Sequence, residues 1–359
     1  MPPKIAIVYL AYNSRPYLPD VVASLEATSY PKDRIDFIIV DNNSPDNSAE
    51  LIREMVLPKS GVTLPKVTFF PNPVNEGFAA GNNIGINHAL QDGADYVYLL
   101  NNDAKFHPDA LSEIVKLAES DKKIGSAQSL MLLWQDTERV NSTGGKVHFL
   151  GFGFVRDNGR LRSDITARDG EEIAYASGAA VLYRASVLRE VGLLDPFLFL
   201  YHEDLELGWR IRLAGYRNAL SLHSVVYHKY EFKRSIQKFF WMELNRILVH
   251  FSHLKWGTIL LLLPLLLMIE GALIAFAVRG GWWREKLRVY GEFLKPKTWA
   301  YVSRKRRESR VMRRVTDREI VRMFVGEISH QETSNAVVET VANPLLNFIW
   351  RVKRALIVW

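Results

Sequence analysis

Over the first 100 residues, four short apolar runs alternate with helical patterns. The runs are Ile5–Leu10, Ile35–Val40, Val67–Phe70 and Tyr96–Leu100, and the helical patterns lie at about Tyr17–Ala27, Ser48–Lys59 and Phe78–Gln91. This alternation predicts βαβ units and a mainly parallel sheet, because parallel neighbours need a crossover long enough to hold a helix. The turns after Leu10, Val40 and Leu100 then share one edge of the sheet, where open α/β folds bind ligands. Those turns are polar, which points to a nucleotide-dependent enzyme. A further helix is predicted from beyond Pro108 to about Ser120. Residues 124–184, richer in Gly and short strand-like runs, read as a more irregular, acceptor-side half.

With 359 residues, 48% of them apolar, the chain can hold one large domain or two smaller ones. It has no cysteine, which excludes disulfides and thiolate chemistry and favours a reducing compartment. The sequence MPPKIAIVYLAYNS enters a strand-like run at once, so no secretory signal is expected. The net charge of +7 is regional. Between Arg279 and Val315 there are 13 Lys/Arg and three Asp/Glu, a balance of +10 that leaves about −3 for the rest. A basic tail of this kind suits a membrane surface better than nucleic acid once the segment before it is considered.

Each polar patch has a chemical and a structural reading. AYNS at Ala11–Ser14 precedes a helix whose free N–H groups suit an anion, and Tyr12 can stack on a base; an ordinary strand-to-helix loop has the same look. In VDNNSPDNS, Asp41 follows the second strand directly and can accept from a base imide or a ribose hydroxyl, or serve as a turn residue. NEGFAAGNN (Asn75–Asn83) sets Gly77 and Gly81 among amides, a composition that admits close backbone approach to a ligand. LLNND ends a buried strand in Asn101, Asn102 and Asp103; a hard cation on a diphosphate needs such a carboxylate, although a helix cap before Pro108 would too. In HEDLELGWR (His202–Arg210), Glu203 or Asp204 can act as a general base, or both can be acids favoured at a helix start. His228, in VVYHKY, ends another strand-like run and can complete a metal site with Asp103.

Gly257–Val278 is 22 residues long with one ionisable side chain, Glu270. As a helix it would extend about 33 Å, enough for a bilayer core. LLLLPLLLM has no polar face, unlike most core helices, and Trp256, Trp282 and Trp283 flank the segment as interfacial aromatics do. A single crossing would put the +10 stretch opposite the catalytic half, whereas the positive-inside tendency and nucleotide substrates both require the cytoplasmic side. The sequence therefore predicts a re-entrant or interfacial, monotopic segment bent at Pro264 or Glu270–Gly271, with the basic stretch against anionic headgroups, each charge adding roughly 1 kcal/mol. Asn343–Trp359 reads as a second amphipathic surface helix.

The ordered set YNS, VDNNSPDNS, NEGFAAGNN, LLNND, SGAAVLYR (Ser177–Arg184), HEDLELGWR and VYH resembles inverting glycosyltransferases of family 2 with the GT-A fold, above all the rhamnosyltransferase-like branch, over roughly Lys4–Tyr230. The resemblance implies an α/β, Rossmann-like GT-A domain at 1–232, a connecting helix at 233–256, the apolar segment at 257–278 and a basic amphipathic helical tail at 279–359. It implies Asp204 as base with Glu203 beside it. Ala11, Tyr12, Asn13, Asp41, Asn43, Asn75, Gly77, Asn82, Asn101 and Asn102 would surround the nucleotide. Asp103 and His228 would hold Mg²⁺ or Mn²⁺, and Ser177, Gly178, His202 and Trp209 would border sugar and acceptor. The implied partners are a nucleotide diphosphate sugar, a glycan or lipid-linked acceptor and the cytoplasmic face of the cell membrane. One departure is plain: the family's Asp-x-Asp reads Asn101-Asn102-Asp103, which leaves a single carboxylate.

Two other readings use the same patches. A nucleotidyltransferase-like enzyme would show a Gly-rich, basic phosphate loop near the N-terminus, whereas Ala11–Pro16 has only Arg15 and no Gly. A non-catalytic membrane-attached scaffold would leave the order of the patches unexplained.

Overall fold

Strands β1 (Ile5–Ala11) and β2 (Ile35–Asp41) are buried at every residue, as expected of strands covered on both faces. In the computed structural model, which describes residues 1–229, 236–328 and 338–359, β1 pairs in parallel with β2 and with β4 (Tyr96–Leu100), and β3 (Lys66–Pro71) extends the sheet beyond β2. Helices α1 (Leu18–Glu26) and α3 (Gly77–Gln91) form the crossovers expected. The predicted helix at Ser48–Lys59 is only partly regular: α2 (Ser48–Leu51) gives way to a wide turn at Ile52–Val56 and a tight one at Leu57–Lys59, where Pro58 cannot donate.

The second half is more ordered than its composition suggested. After β5 (Ala104–Phe106) and α4 (Ala110–Ser120) comes β6 (Ile124–Leu133), then β7 (Asp136–Ser142), β8 (Gly145–His148), β9 (Gly153–Val155), β10 (Glu172–Ile173) and β11 (Ala180–Arg184). Helices α5 (Ala185–Val191) and α6 (Glu203–Leu213) lead to β12 (Arg217–His228). The large sheet runs β10-β12-β6-β11-β4-β1-β2-β3, with β11 antiparallel to both of its neighbours and β5 and β7 attached at the side. Thus β6 and β11 are central strands, not irregular ones. Their polar residues are satisfied sideways: Ser126 bonds Asn218, and Ser129 bonds Tyr98 and Ser224.

The C-terminal region folds back on this sheet. It comprises α7 (Ile236–His253), α8 (Trp256–Arg279), α9 (Trp283–Glu292), α10 (Pro296–Met312), α11 (Asp317–Val321), β13 (Phe324–Val325) and α12 (Asn343–Leu356). β13 pairs with β8 in a small sheet, β13-β8-β9, so the expected tail contributes a strand to the first half. Several cations of the basic stretch lie inside: Lys305 Nζ reaches Asp195 at 2.8 Å and Glu206 at 3.1 Å, and Lys286 Nζ reaches Glu270 at 2.7 Å. They are therefore not available to headgroups. α8 is helical without interruption through Pro264 and Glu270–Gly271, so the chain does not break there; the hydrogen bond lost at Pro264 falls on the exposed Leu260 side. Glu270 also pairs with Arg246 of α7, which fastens α8 along the protein.

The close packing of α3 rests on two glycines. A Cβ on Gly81 would stand 2.6 Å from Leu10 Cδ1, and one on Gly85 2.5 Å from Val8 Cγ1. Gly85→Val should destabilise the protein by about 1–3 kcal/mol through overpacking, seen as a lower urea midpoint at unchanged slope.

Candidate active site

The parallel register brings Ala11, Asp41 and Asn101–Asp103 to one edge. Ala11 lies opposite Asp41, and its carbonyl accepts from the Asn42 N–H at 2.8 Å. Asn13 and Asn43 adopt φ of 54° and 61°, the left-handed region that Asn tolerates. They turn the two loops into each other: Asn13 N–H donates to Ser44 Oγ at 3.3 Å, and Ser14 N–H to Ser48 Oγ at 2.9 Å. Asp41 is buried; one carboxylate oxygen accepts from Ser44 N–H at 3.4 Å, and Oδ1 has no partner among the described residues. An unpaired buried carboxylate oxygen is costly, so this one suits a donor on a ligand. Tyr12, beside it, is exposed.

Asn42 ties the next loop down, a role sequence reading missed. Its amide donates to Asn75 Oδ1 at 2.9 Å and to the Gly77 carbonyl at 3.1 Å, and its Oδ1 accepts from Glu76 N–H at 3.0 Å. Asn75 thus supports the loop, and Asn82 donates to the Phe78 carbonyl at 2.9 Å within α3. Gly77 has φ +79°, and a Cβ there would strike the Phe199 ring at 2.6 Å. The glycines of this patch therefore serve packing first.

At the end of β4, Asn102 donates to the Tyr12 carbonyl at 2.6 Å and to Ser14 Oγ at 3.1 Å, which fixes the first loop. No hydrogen bond is formed by the Asn101 side chain among the described residues. Asp103 Oδ1 lies 3.1 Å from His228 Nε2, and His228 Nδ1 lies 2.9 Å from Asn141 Oδ1. If Nδ1–H donates to the amide oxygen, Nε2 faces the carboxylate as an acceptor. That contact is favourable with a proton or a metal ion between them. Among the described residues no group of three or more His, Cys, Asp or Glu is placed to hold a metal. This pair therefore suits a cation that takes its remaining ligands from diphosphate and water.

Across the edge, Phe199, Tyr201 and His202 have φ of 56°, 68° and 68°, a strained turn before α6. One amide of α7 holds it: Asn245 Nδ2 donates to the carbonyls of Leu198, Leu200 and Tyr201 at 2.8, 3.0 and 2.8 Å. Asp204 follows, its carboxylate accepting from Gly178 N–H at 3.0 Å and Leu205 N–H at 2.7 Å. Burial pushes its carboxyl up, and these N–H donors oppose the shift. Burial and then Asp204 push Glu203 well above the usual range; its Oε2 has no partner among the described residues. A carboxylate raised in this way holds a proton more strongly than an ordinary one, the direction a general base needs. Ser177 N–H donates to Gln128 Oε1 at 2.8 Å, and Asn101 N–H to the Ala179 carbonyl at 2.9 Å, so Ser177–Gly178 adjoins both β4 and Asp204.

Two expected acceptor residues are not at this edge. Trp209 is five residues beyond Asp204, about 140° around the helix. It is buried against His250 and Phe324 at 5.5 and 5.1 Å between ring centroids. His202 is also buried, with Nε2 3.4 Å from the Gly151 carbonyl, and burial lowers it to about 4.

A family model described as Glycosyl transferase family 2 matches residues 6–192. The N-acetylglucosaminyl-diphospho-decaprenol L-rhamnosyltransferase of Mycobacterium tuberculosis is 24% identical over 245 residues, 63% of this chain and 76% of that protein. Among solved structures, the mannosyltransferase PcManGT from Pyrobaculum calidifontis, in complex with GDP-Man and Mn²⁺, has a TM-score of 0.52 at 17% identity over 87% of each chain. GalNAc-T7 with UDP, GalNAc and Mn²⁺ has a TM-score of 0.56 at 18% identity, over 71% of this chain and 48% of that one. These likenesses establish the GT-A-like fold of the chain.

The raised Glu203 carboxyl makes a prediction about stability. Between the ordinary glutamate value and its raised one, the folded state binds the proton more tightly than the unfolded state, so stability falls as pH rises. Glu203→Gln removes that loss. Its melting temperature should exceed the wild type's by about 2 °C or more near pH 8, and the gap should close toward pH 5.

Proposed function

The chain is a glycosyltransferase of family 2, and from that premise we propose that it transfers a hexosyl or rhamnosyl group, with inversion, from a nucleotide diphosphate sugar to a hydroxyl of a lipid-linked or glycan acceptor at a membrane surface. The observation that carries this reading is the Asp204 carboxylate, held by the Gly178 N–H at the sheet edge that also bears Asp41 and Asp103. Asp204 takes the acceptor proton while the acceptor oxygen bonds to the anomeric carbon. The bond from that carbon to the diphosphate breaks on the opposite face, and its electron pair leaves with the nucleoside diphosphate. Asp41 Oδ1 receives a base N–H, Tyr12 stacks on the base, and Asn101 faces the ribose. Asp103 and His228 would hold Mg²⁺ or Mn²⁺, which would neutralise charge on the leaving diphosphate. The Mn²⁺ in both solved neighbours supports such a metal.

Membrane association is supported by α8. It is long and apolar enough to cross a bilayer, and only 11% of its most apolar stretch is buried, unlike a core helix. Leu260, Leu267 and Met268 are exposed, and Trp256 and Trp283 sit at its ends. With Glu270 bound to Arg246 and Lys286, and α9 and α10 returning to the catalytic half, the helix suits an interfacial, monotopic position on the cytoplasmic face. The diphospho-decaprenol acceptor named for the mycobacterial relative favours a lipid-linked acceptor.

Nucleoside diphosphate release from a panel of nucleotide sugars tests the chemistry. Asp204→Asn should lower turnover by about 100-fold or more, the share of a general base, and leave donor affinity within about twofold. Equal loss of donor binding in calorimetry would remove Asp204 from the base role. For the membrane, Leu267→Glu with Met268→Glu should move the protein from the membrane pellet to the supernatant; both side chains are exposed, so the fold is spared. Unchanged sedimentation would exclude α8 as the contact.

A further inference from the structure

Away from the Asp41–Asp103 edge, a second cleft of about 420 Å³ opens between β8, β10, β13 and α12. Its walls carry Lys146, Arg156, Arg322, Arg351 and Arg354 against Glu172 and Glu327. Arg322 is answered by Glu172 at 3.3 Å, and Arg156 by Glu171 and Asp157. Lys146, Arg351 and Arg354 have no ion-pair partner among the described residues. Lys146 is half-buried; burial and then Arg156 push its ammonium down, a state that an anion in the cleft would relieve.

α12 supplies the second half of the argument. Asn347, Trp350, Arg351 and Arg354 line the cleft at helical spacing, with Trp350 stacked on Phe149 at 5.0 Å. The other side of the helix carries Leu345, Phe348, Val352 and Leu356, all exposed, Phe348 by 66%. A helix with cations toward a cavity and an open apolar stripe behind them suits an anion delivered on an apolar chain, because the stripe would lie among lipid tails where the arginines meet the headgroup level. A soluble anion would need only the cations.

The cleft is also within reach of the base. Ala174 lines it, and four residues on, Gly178 holds Asp204; fully extended, that backbone spans at most about 14 Å. A second link runs through β9. A Cβ on Gly153 would stand 2.6 Å from Leu205 Cδ1, and Arg156 of the cleft is three residues further.

We propose that this cleft binds the diphosphate of a membrane-embedded, lipid-linked acceptor, and so positions the sugar of that acceptor at Asp204. The proposal rests on the transferase reading for its purpose, but its test does not need turnover. Full-length protein in detergent is titrated calorimetrically with farnesyl diphosphate, inorganic pyrophosphate, farnesol and UDP. Farnesyl diphosphate should bind more tightly than either pyrophosphate or farnesol. Arg351→Ala with Arg354→Ala should weaken it by about tenfold or more and leave UDP affinity unchanged. Lys146→Met should weaken it too. Arg307→Ala with Arg310→Ala, on exposed α10 positions outside the cleft, should have no effect.

Unchanged farnesyl diphosphate affinity in the Arg351/Arg354 double variant overturns the site. So does an equal loss in the Arg307/Arg310 control, which would mean surface charge alone. Pyrophosphate binding as tight as farnesyl diphosphate overturns the lipid source and leaves a site for a soluble phosphate. Cleft-dependent binding without sugar transfer from any donor would uphold the cleft while the transferase reading fails.

Discussion

Glu206 is the point on which the two halves of the molecule depend. It is completely buried on α6, two residues after Asp204, and burial alone would push its carboxyl up. Arg210 of the same helix at 2.7 Å, Lys305 of α10 at 3.1 Å and His253 of α7 at 3.0 Å hold it well below the ordinary value instead. Removing one partner of a buried pair leaves an uncompensated charge, which costs about 3–5 kcal/mol. The helix that carries the proposed base is therefore seated by His253 and Lys305, from α7 and α10 much later in the chain. The C-terminal region is part of the support of the site rather than an appendage to it.

That seating changes what the regional charge means. The excess of +10 over Arg279–Val315 is real in the sequence, but Lys286 and Lys305 neutralise buried acids, and Arg313 pairs with Asp317 at 2.7 Å. The charge left for a membrane surface is smaller and more local than composition indicates. Deleting everything after α7 would strip Trp209 and Phe149 of their cover from Phe324 and Trp350. Point changes on exposed faces are the informative ones.

The parallel part of the sheet was legible because its strands are uniform apolar runs divided by helices. The pairing of Asp103 with His228 was legible because both end such runs, at one edge. β6 and β11 were not: Ser126, Gln128 and Ser129 break the apolar pattern of β6, and the partners of the two serines, Asn218 and Ser224, stand far away in sequence. Trp209 was misjudged because nearness to Asp204 along the chain is not nearness around a helix. Asn42 was visible within its motif, as one of two adjacent amides. Asn141 and Asn245 had no local signal, since each acts on a turn or ring that another segment supplies.

Two neighbouring residues of α7 join the exposed apolar helix α8 to the turn before α6. Asn245 holds the carbonyls of Leu198, Leu200 and Tyr201, and with them the strained turn that aims α6. Arg246, next in sequence and about 100° further around the helix, binds Glu270 of α8 and donates to the Leu150 carbonyl at 3.0 Å. Glu270 is the only carboxylate in the apolar segment, and its second cation, Lys286, comes from α9. The exposed apolar helix α8 and the turn before α6 are thus both held by α7. Through α7, the position of α8 and that of the turn leading to Asp204 are fixed relative to each other.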